Sequence, residues 1–333
     1  MSVFPKVAAV AVVFQLFLVQ PAWAGSSEPL KVSGADAAKG TTQVAIGAFN
    51  VGFIFQSVDQ TKATGGLMGA FGGATKTKSE LVGVTPEMMQ KVADDAYADL
   101  VAQLAAKGIT VQEPAALFGH AAMANPHGQA SPIDINVTLE KGSKGKVTYV
   151  KPAALPTLLL IPGDFTGSGF SSIGINMAAG QAQMALSNYA KAASVPVIDV
   201  TYMIDFSNTK RPGAFSFGGG LTVNAGLSVS AGYSRLSLLA PSGKRTTMVI
   251  NQPVAVEGDF IQQQDTTSGL GKTTQAAANV AGGVAAGLGL GGMRFGKTRE
   301  YEMTAKPGNY ELGATKAASL ANTLLTDRLS ALR

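Results

Sequence analysis

The chain has 333 residues, with 26 Lys and Arg against 21 Asp and Glu, 40 glycines, no cysteine and only 7% aromatic residues. Without cysteine there can be neither a disulfide nor a lipidated N-terminal cysteine, so packing must hold together one large domain or two small ones. The cations are scattered, in short groups such as Lys141–Lys146 and Lys210-Arg211, which excludes the aromatic-interleaved basic stripe of a nucleic-acid binder, and 46% hydrophobic content excludes wholesale disorder.

The chain begins with one early cation, Lys6, then an uncharged apolar run from Val7 to Val19 and a small-x-small close at Ala22-Trp23-Ala24. That order is a secretory signal peptide over residues 1–24, and the run is short for a membrane span. Cleavage after Ala24 removes Lys6, leaves a formal charge of +4 and places the mature protein in the periplasm or outer membrane. Residues 25–42 are small and polar and read as a linker to an exported α/β domain over 43–333.

Val44–Ser57 is apolar at both alternating positions, as in a strand buried on both faces. Gly65–Gly73 reads as a glycine-rich loop. Thr85–Lys107 reads as a helix, with Thr85 as N-cap, Pro86 in the first turn, a stripe of Met89, Val92, Ala96, Leu100 and Leu104, and a stop at Gly108. A short strand is predicted at Ile109–Val111, a surface loop at Leu117–Pro132, and strands at Ile133–Leu139, Lys146–Val150 and Thr157–Ile161. Met177–Ala193 reads as a helix stopped by Pro196, and Val197–Phe206 as a strand.

Phe215–Ser234 alternates almost without fault. Phe215, Phe217, Leu221, Val223, Leu227, Val229 and Tyr233 take one parity and Ser, Gly, Thr and Asn the other. Twenty residues exceed an ordinary strand, so a hairpin over 215–235 is expected, and only a three-residue turn at Asn224-Ala225-Gly226 keeps all the apolar residues on one face. That face has two readings: it covers a soluble core, or it meets lipid while the uncharged polar face lines a lumen. The phase flips after Arg235, a turn is predicted at Pro241-Ser242-Gly243, and strand character resumes over Thr246–Val256. Gln262–Lys272 reads as polar loop, 273–293 as a charge-free glycine-rich segment, Arg294–Thr304 as a strand and Thr315–Leu332 as a terminal helix.

Gly291 to Thr298 has the letters of a phosphate-binding loop, but such a loop needs a helix after it and a β-like run follows. His120 and His127 are the two histidines, too few without cysteine for a zinc site. Asp164 with Ser168, Ser171 and Ser172 suggests a hydrolase, yet the spacing is not that of a nucleophile elbow and both histidines come earlier in the chain. Gly283, Gly287 and Gly291, four apart, fit either a small-residue helix face or a loop.

Gln43–Phe49, the Thr85–Lys107 helix, the strand-turn-strand from Tyr233 through Gly243 to Arg245, and the terminal helix together resemble the curli-secretion channel family. The resemblance implies a periplasmic α/β domain, ring assembly and β-hairpins donated to a shared barrel; unlike that family, the chain has no cysteine to lipidate. The expectation is therefore an α/β (α+β) fold, with a mixed sheet, packing helices and an extended amphipathic hairpin. The expected role is non-enzymatic: an envelope structural or assembly component without cofactor or metal, associating with itself, with envelope proteins or with the outer membrane, and not with nucleic acid. The alternatives are a soluble periplasmic binding module and, last, a serine-type hydrolase.

Overall fold

A computed structural model describes residues 28–61, 75–138, 144–164, 173–210, 222–268 and 298–333, and among these thirteen strands form one mixed sheet on which four α-helices pack. The elements are β1 (Leu30–Ser33), β2 (Gln43–Thr61), β3 (Thr75–Val82), α1 (Pro86–Ala106), β4 (Thr110–Val111), α2 (Pro114–Phe118), β5 (Ile133–Thr138), β6 (Lys144–Val150) and α3 (Ile173–Ala193). After them come β7 (Val197–Lys210), β8 (Thr222–Val229), β9 (Arg235–Leu239), β10 (Arg245–Ile250), β11 (Val254–Val256), β12 (Ile261–Asp265), β13 (Thr298–Ala305) and α4 (Asn309–Leu332). The chain is thus an α/β protein.

The centre of the sheet is the parallel pair β2–β7. Its register slips between Ile46 and Ala48, and the slip exchanges the two faces of β2. Val44, Ile46, Phe49, Val51 and Phe53 consequently join one core, while Ala45 and Ala48 join another. Gly47 sits at the slip because a Cβ there would lie 2.7 Å from Leu186 and 2.8 Å from Val197. On the first face Phe49 meets Tyr97 of α1 and Tyr202 of β7 edge-on, at 5.6 and 5.7 Å. On the second, Leu186 and Tyr189 of α3 pack with Leu159, Ile161 and Val197.

α1 forms as its sequence predicts. Thr85 Oγ1 accepts the Met88 amide, Pro86 opens the first turn, and Gly108 takes φ +71° just past the end. Met89, Val92, Ala96, Leu100 and Leu104 are all buried. α4 lies alongside, joined by Asn322, which donates to Ala96 O at 3.0 Å and accepts from Tyr202 OH at 2.6 Å.

All three long helices end at the same end of the sheet. α1 leads into β4, which pairs with Gln43 at the start of β2. Arg333, just past α4, donates to the Gly108 and Lys107 carbonyls beyond α1. α3 leads to Pro196, whose carbonyl accepts the Ala45 amide.

The opposite end belongs to strands. β2–β3, β5–β6, β7–β8 and β12–β13 are antiparallel pairs. β7 runs parallel to β2, β13 runs parallel to β3, and β6 is antiparallel to β2. Those directions put the strand ends that flank 62–74, 139–143, 211–221 and 269–297 at the end toward which β2 runs.

Four expectations need correction. The segment read as a linker contains β1, paired with β10 at the edge of the sheet, and a 3-10 turn that buries Ala37 and Ala38. The segment Gln262–Lys272, read as loop, begins with most of β12, whose polar sequence escapes the period-two test. Of Thr157–Ile161, only Leu158 is bridged, to Gln129. The hairpin register is the main revision. Asn224, Ala225 and Gly226 lie inside β8, a single strand paired with β7 so that Thr222 faces Lys210 and Val229 faces Ile204. The alternation is that of a strand, but alternation does not say which strand is the partner. The chain turns instead at 231–233, with Gly232 at φ +78°, and β9 then pairs with the earlier part of β7. That turn accounts for the phase flip at Arg235.

Candidate functional site

The α3 side of the central sheet carries charge where a buried sheet face is ordinarily apolar. Asn50 (β2), Asp199 and Thr201 (β7), Arg235 and Ser237 (β9), and Arg245 and Thr247 (β10) all take the parity that faces α3. Over this strip runs the segment from Leu158 to Asp164.

Asp164 holds that segment down. Its Oδ1 accepts Arg235 Nη2 at 2.6 Å, and its Oδ2 accepts the Ile161 amide at 2.7 Å and Asn50 Nδ2 at 3.3 Å. Arg235 also donates to Pro162 O, Asn50 to Leu159 O, and Tyr149 OH to Asp164 O. The carboxylate is 1% exposed and the guanidinium 16%. Gly163, at φ +91°, gives Arg235 its room, since a Cβ there would lie 2.2 Å from Nη1. Both carboxylate oxygens are thus occupied in joining β2, β9 and the 158–164 segment, an arrangement suited to anchoring.

A second pair lies beside the first: Arg245 Nη1 reaches Asp199 Oδ2 at 3.3 Å, leaving Asp199 Oδ1 without a hydrogen-bond partner among the described residues. Burial pushes the Asp199 carboxyl up to about 7, Arg245 opposing and Asp164 adding to the rise. The strip therefore reads Arg245, Asp199, Arg235, Asp164 in alternating charge. One signal of it stood in the sequence: in Val197-Ile-Asp-Val-Thr the acid interrupts an apolar strand.

Of the hairpin residues singled out, Leu227 and Val229 are buried in the main core, and Leu227 packs against Gly313 of α4. These two side chains are thus covered by the protein itself. Tyr233 is half-buried against the same core, and Val223 lies in β8 opposite Thr209. Phe215, Phe217 and Leu221 lie outside the described residues, as do residues 1–27, Ser168, Ser171, Ser172 and 273–293. Of the phosphate-loop letters only Thr298 is described, and it opens strand β13 where that motif needs a helix. His120 Nδ1 accepts the Ala122 amide, and its ring stands edge-on to Tyr189 at 5.2 Å; His127 adopts φ +55°.

Outward-facing side chains near the open strand end are charged and paired with one another. Lys78 meets Glu300 at 3.0 Å and Lys146 meets Asp134 at 2.8 Å. Among the described residues no helix is long and apolar enough to cross a membrane. No family model, curated protein or solved structure matches the chain.

Proposed function

We propose that this protein is a non-enzymatic structural or assembly component of a bacterial envelope, exported by its N-terminal signal, alone or as an oligomer, that presents its open strand end to the outer membrane or to a neighbouring envelope protein. The observation that carries the reading is directional: four antiparallel strand pairs open at one end of the sheet, and the three long helices end at the other. The composition of the joining sequences supports it. Segments 62–74, 211–221 and 269–297 hold 18 of the 40 glycines and no acidic residue. A body that only enclosed itself would have little reason to concentrate glycine-rich sequence without acidic residues at one end.

One observation favours the second reading, a soluble periplasmic interaction module. The exposed ion pairs Lys78–Glu300, between β3 and β13, and Lys146–Asp134, between β6 and β5, suit outer faces that meet water. On the first reading, then, membrane contact is confined to the joining sequences. Extraction of the envelope fraction with and without detergent, followed by size measurement, separates the two. Detergent-dependent release is the expected result; release by osmotic shock as a monomer would favour the module.

A further inference from the structure

Three oxygen atoms on the charged strip are buried without a hydrogen-bond partner among the described residues: Asn50 Oδ1, Asp199 Oδ1 and Thr201 Oγ1. They are neighbours. Asn50 and Thr201 are directly paired between β2 and β7, and Asp199 precedes Thr201 by two residues on the same face. The three residues are 0, 4 and 1% exposed. The Asn50 amide has its orientation fixed by its surroundings: the nitrogen serves two acceptors, Leu159 O at 2.7 Å and Asp164 Oδ2 at 3.3 Å, so the carbonyl oxygen points elsewhere.

The three groups are short of protons. Asn50 Oδ1 and an ionised Asp199 Oδ1 only accept, and the Thr201 hydroxyl donates one hydrogen. A cation would satisfy such oxygens, but Arg235 and Arg245 already balance Asp164 and Asp199, so the strip is neutral without one. What fits is a small neutral molecule with two hydrogens to give and a lone pair to receive a third.

We infer that Asn50, Asp199 and Thr201 form the binding site of one internal water molecule, and that this water is the exchange partner for a proton on Asp199. With Asp199 ionised, the water donates to Asn50 Oδ1 and Asp199 Oδ1 and accepts from Thr201. With Asp199 protonated, the new O–H donates to the water, which then gives its two hydrogens to Asn50 and Thr201. The water keeps one hydrogen bond to each of the three groups in both states, so the site can take up and release a proton without rearranging the sheet. The charged groups facing Asp199 are Arg245 on β10, Arg235 on β9 and Asp164 on the covering segment. α3, packed on the same face, has no charged residue before Lys191. Burial raises the Asp199 carboxyl toward neutrality, so the proton moves within the range a periplasm meets.

A crystal structure of the mature chain, at a resolution that shows ordered water, tests the site directly. One water within hydrogen-bond distance of all three oxygens is expected. A dry contact, an ion at metal–oxygen distances, or a donor from residues 165–172 in that place would overturn the inference. Infrared difference spectra of 13C-aspartate protein test the proton. A carboxylic-acid band should titrate near neutral pH, vanish in Asp199→Asn, and titrate at higher pH in Thr201→Val, which removes one hydrogen bond holding the water. A band absent from the wild type, or a midpoint unmoved in a folded Thr201→Val, would contradict it; should that variant not fold, the wild-type structure and spectrum decide.

Discussion

The two halves of the sheet differ in how they are held. Where α1, α3 and α4 cover it, β2 and β7 are buried on both faces, and stability rests on packed apolar side chains with a buried charged strip set among them. Toward the open end, β3 alternates strictly: Thr77, Ser79 and Leu81 are buried while Lys78 and Glu80 are exposed. There the outer surface is held by exposed ion pairs, which contribute little in water.

This contrast predicts a steep gradient of mutational cost. Leu100→Asp, in the buried stripe of α1, should be the most damaging, at about 4–5 kcal/mol or loss of folding, because it buries a charge where a large apolar group packed. An unchanged denaturation midpoint would show that α1 does not cover the sheet. Asp164→Ala should cost about 3 kcal/mol, since it frees a largely buried Arg235 and releases the Leu158–Asp164 segment. Gly163→Ala should reproduce part of that loss by displacing the same guanidinium. Denaturant titration of the three variants checks the order.

The pH dependence sharpens the same comparison. Asp199 in the folded chain holds its proton up to about 7, whereas its ordinary carboxyl value is 3.8. Between those values the folded state binds more protons than the unfolded one, so this group's contribution to stability falls as pH rises and levels off above 7. The drop should be of the order of a few kcal/mol and absent from Asp199→Asn. Thermal melts of both proteins at about pH 5 and pH 8 measure it. At the strand end, Lys78→Ala should change stability by less than about 1 kcal/mol, because Lys78 and Glu300 are 52% and 44% exposed.

Legibility in the sequence followed the same division. α1 could be read residue by residue because cap, stripe and stop are all local signals. β2 and β7 were visible as apolar runs, and the turn at Pro241-Ser242-Gly243 through its residue types, Gly243 taking φ +83°. The partner of β8 was not visible, since pairing is decided by β7 and by α4, against whose Gly313 Leu227 packs. The charged strip was hidden for a related reason. Asn50, Asp164, Asp199, Arg235 and Arg245 come from distant parts of the chain, and only the sheet register makes them neighbours.

Because the chain contains no cysteine, single cysteines can report directly on the proposed orientation. The most direct measurement is labelling of intact envelopes with a water-soluble maleimide, with and without detergent, at Phe217→Cys and Leu221→Cys in a joining sequence and at Gln112→Cys beside the helix-terminal end. If the strand end faces the membrane or a partner, Gln112→Cys should label equally in both conditions, while the other two should label fully only after detergent. Equal labelling at all three positions without detergent would contradict the account.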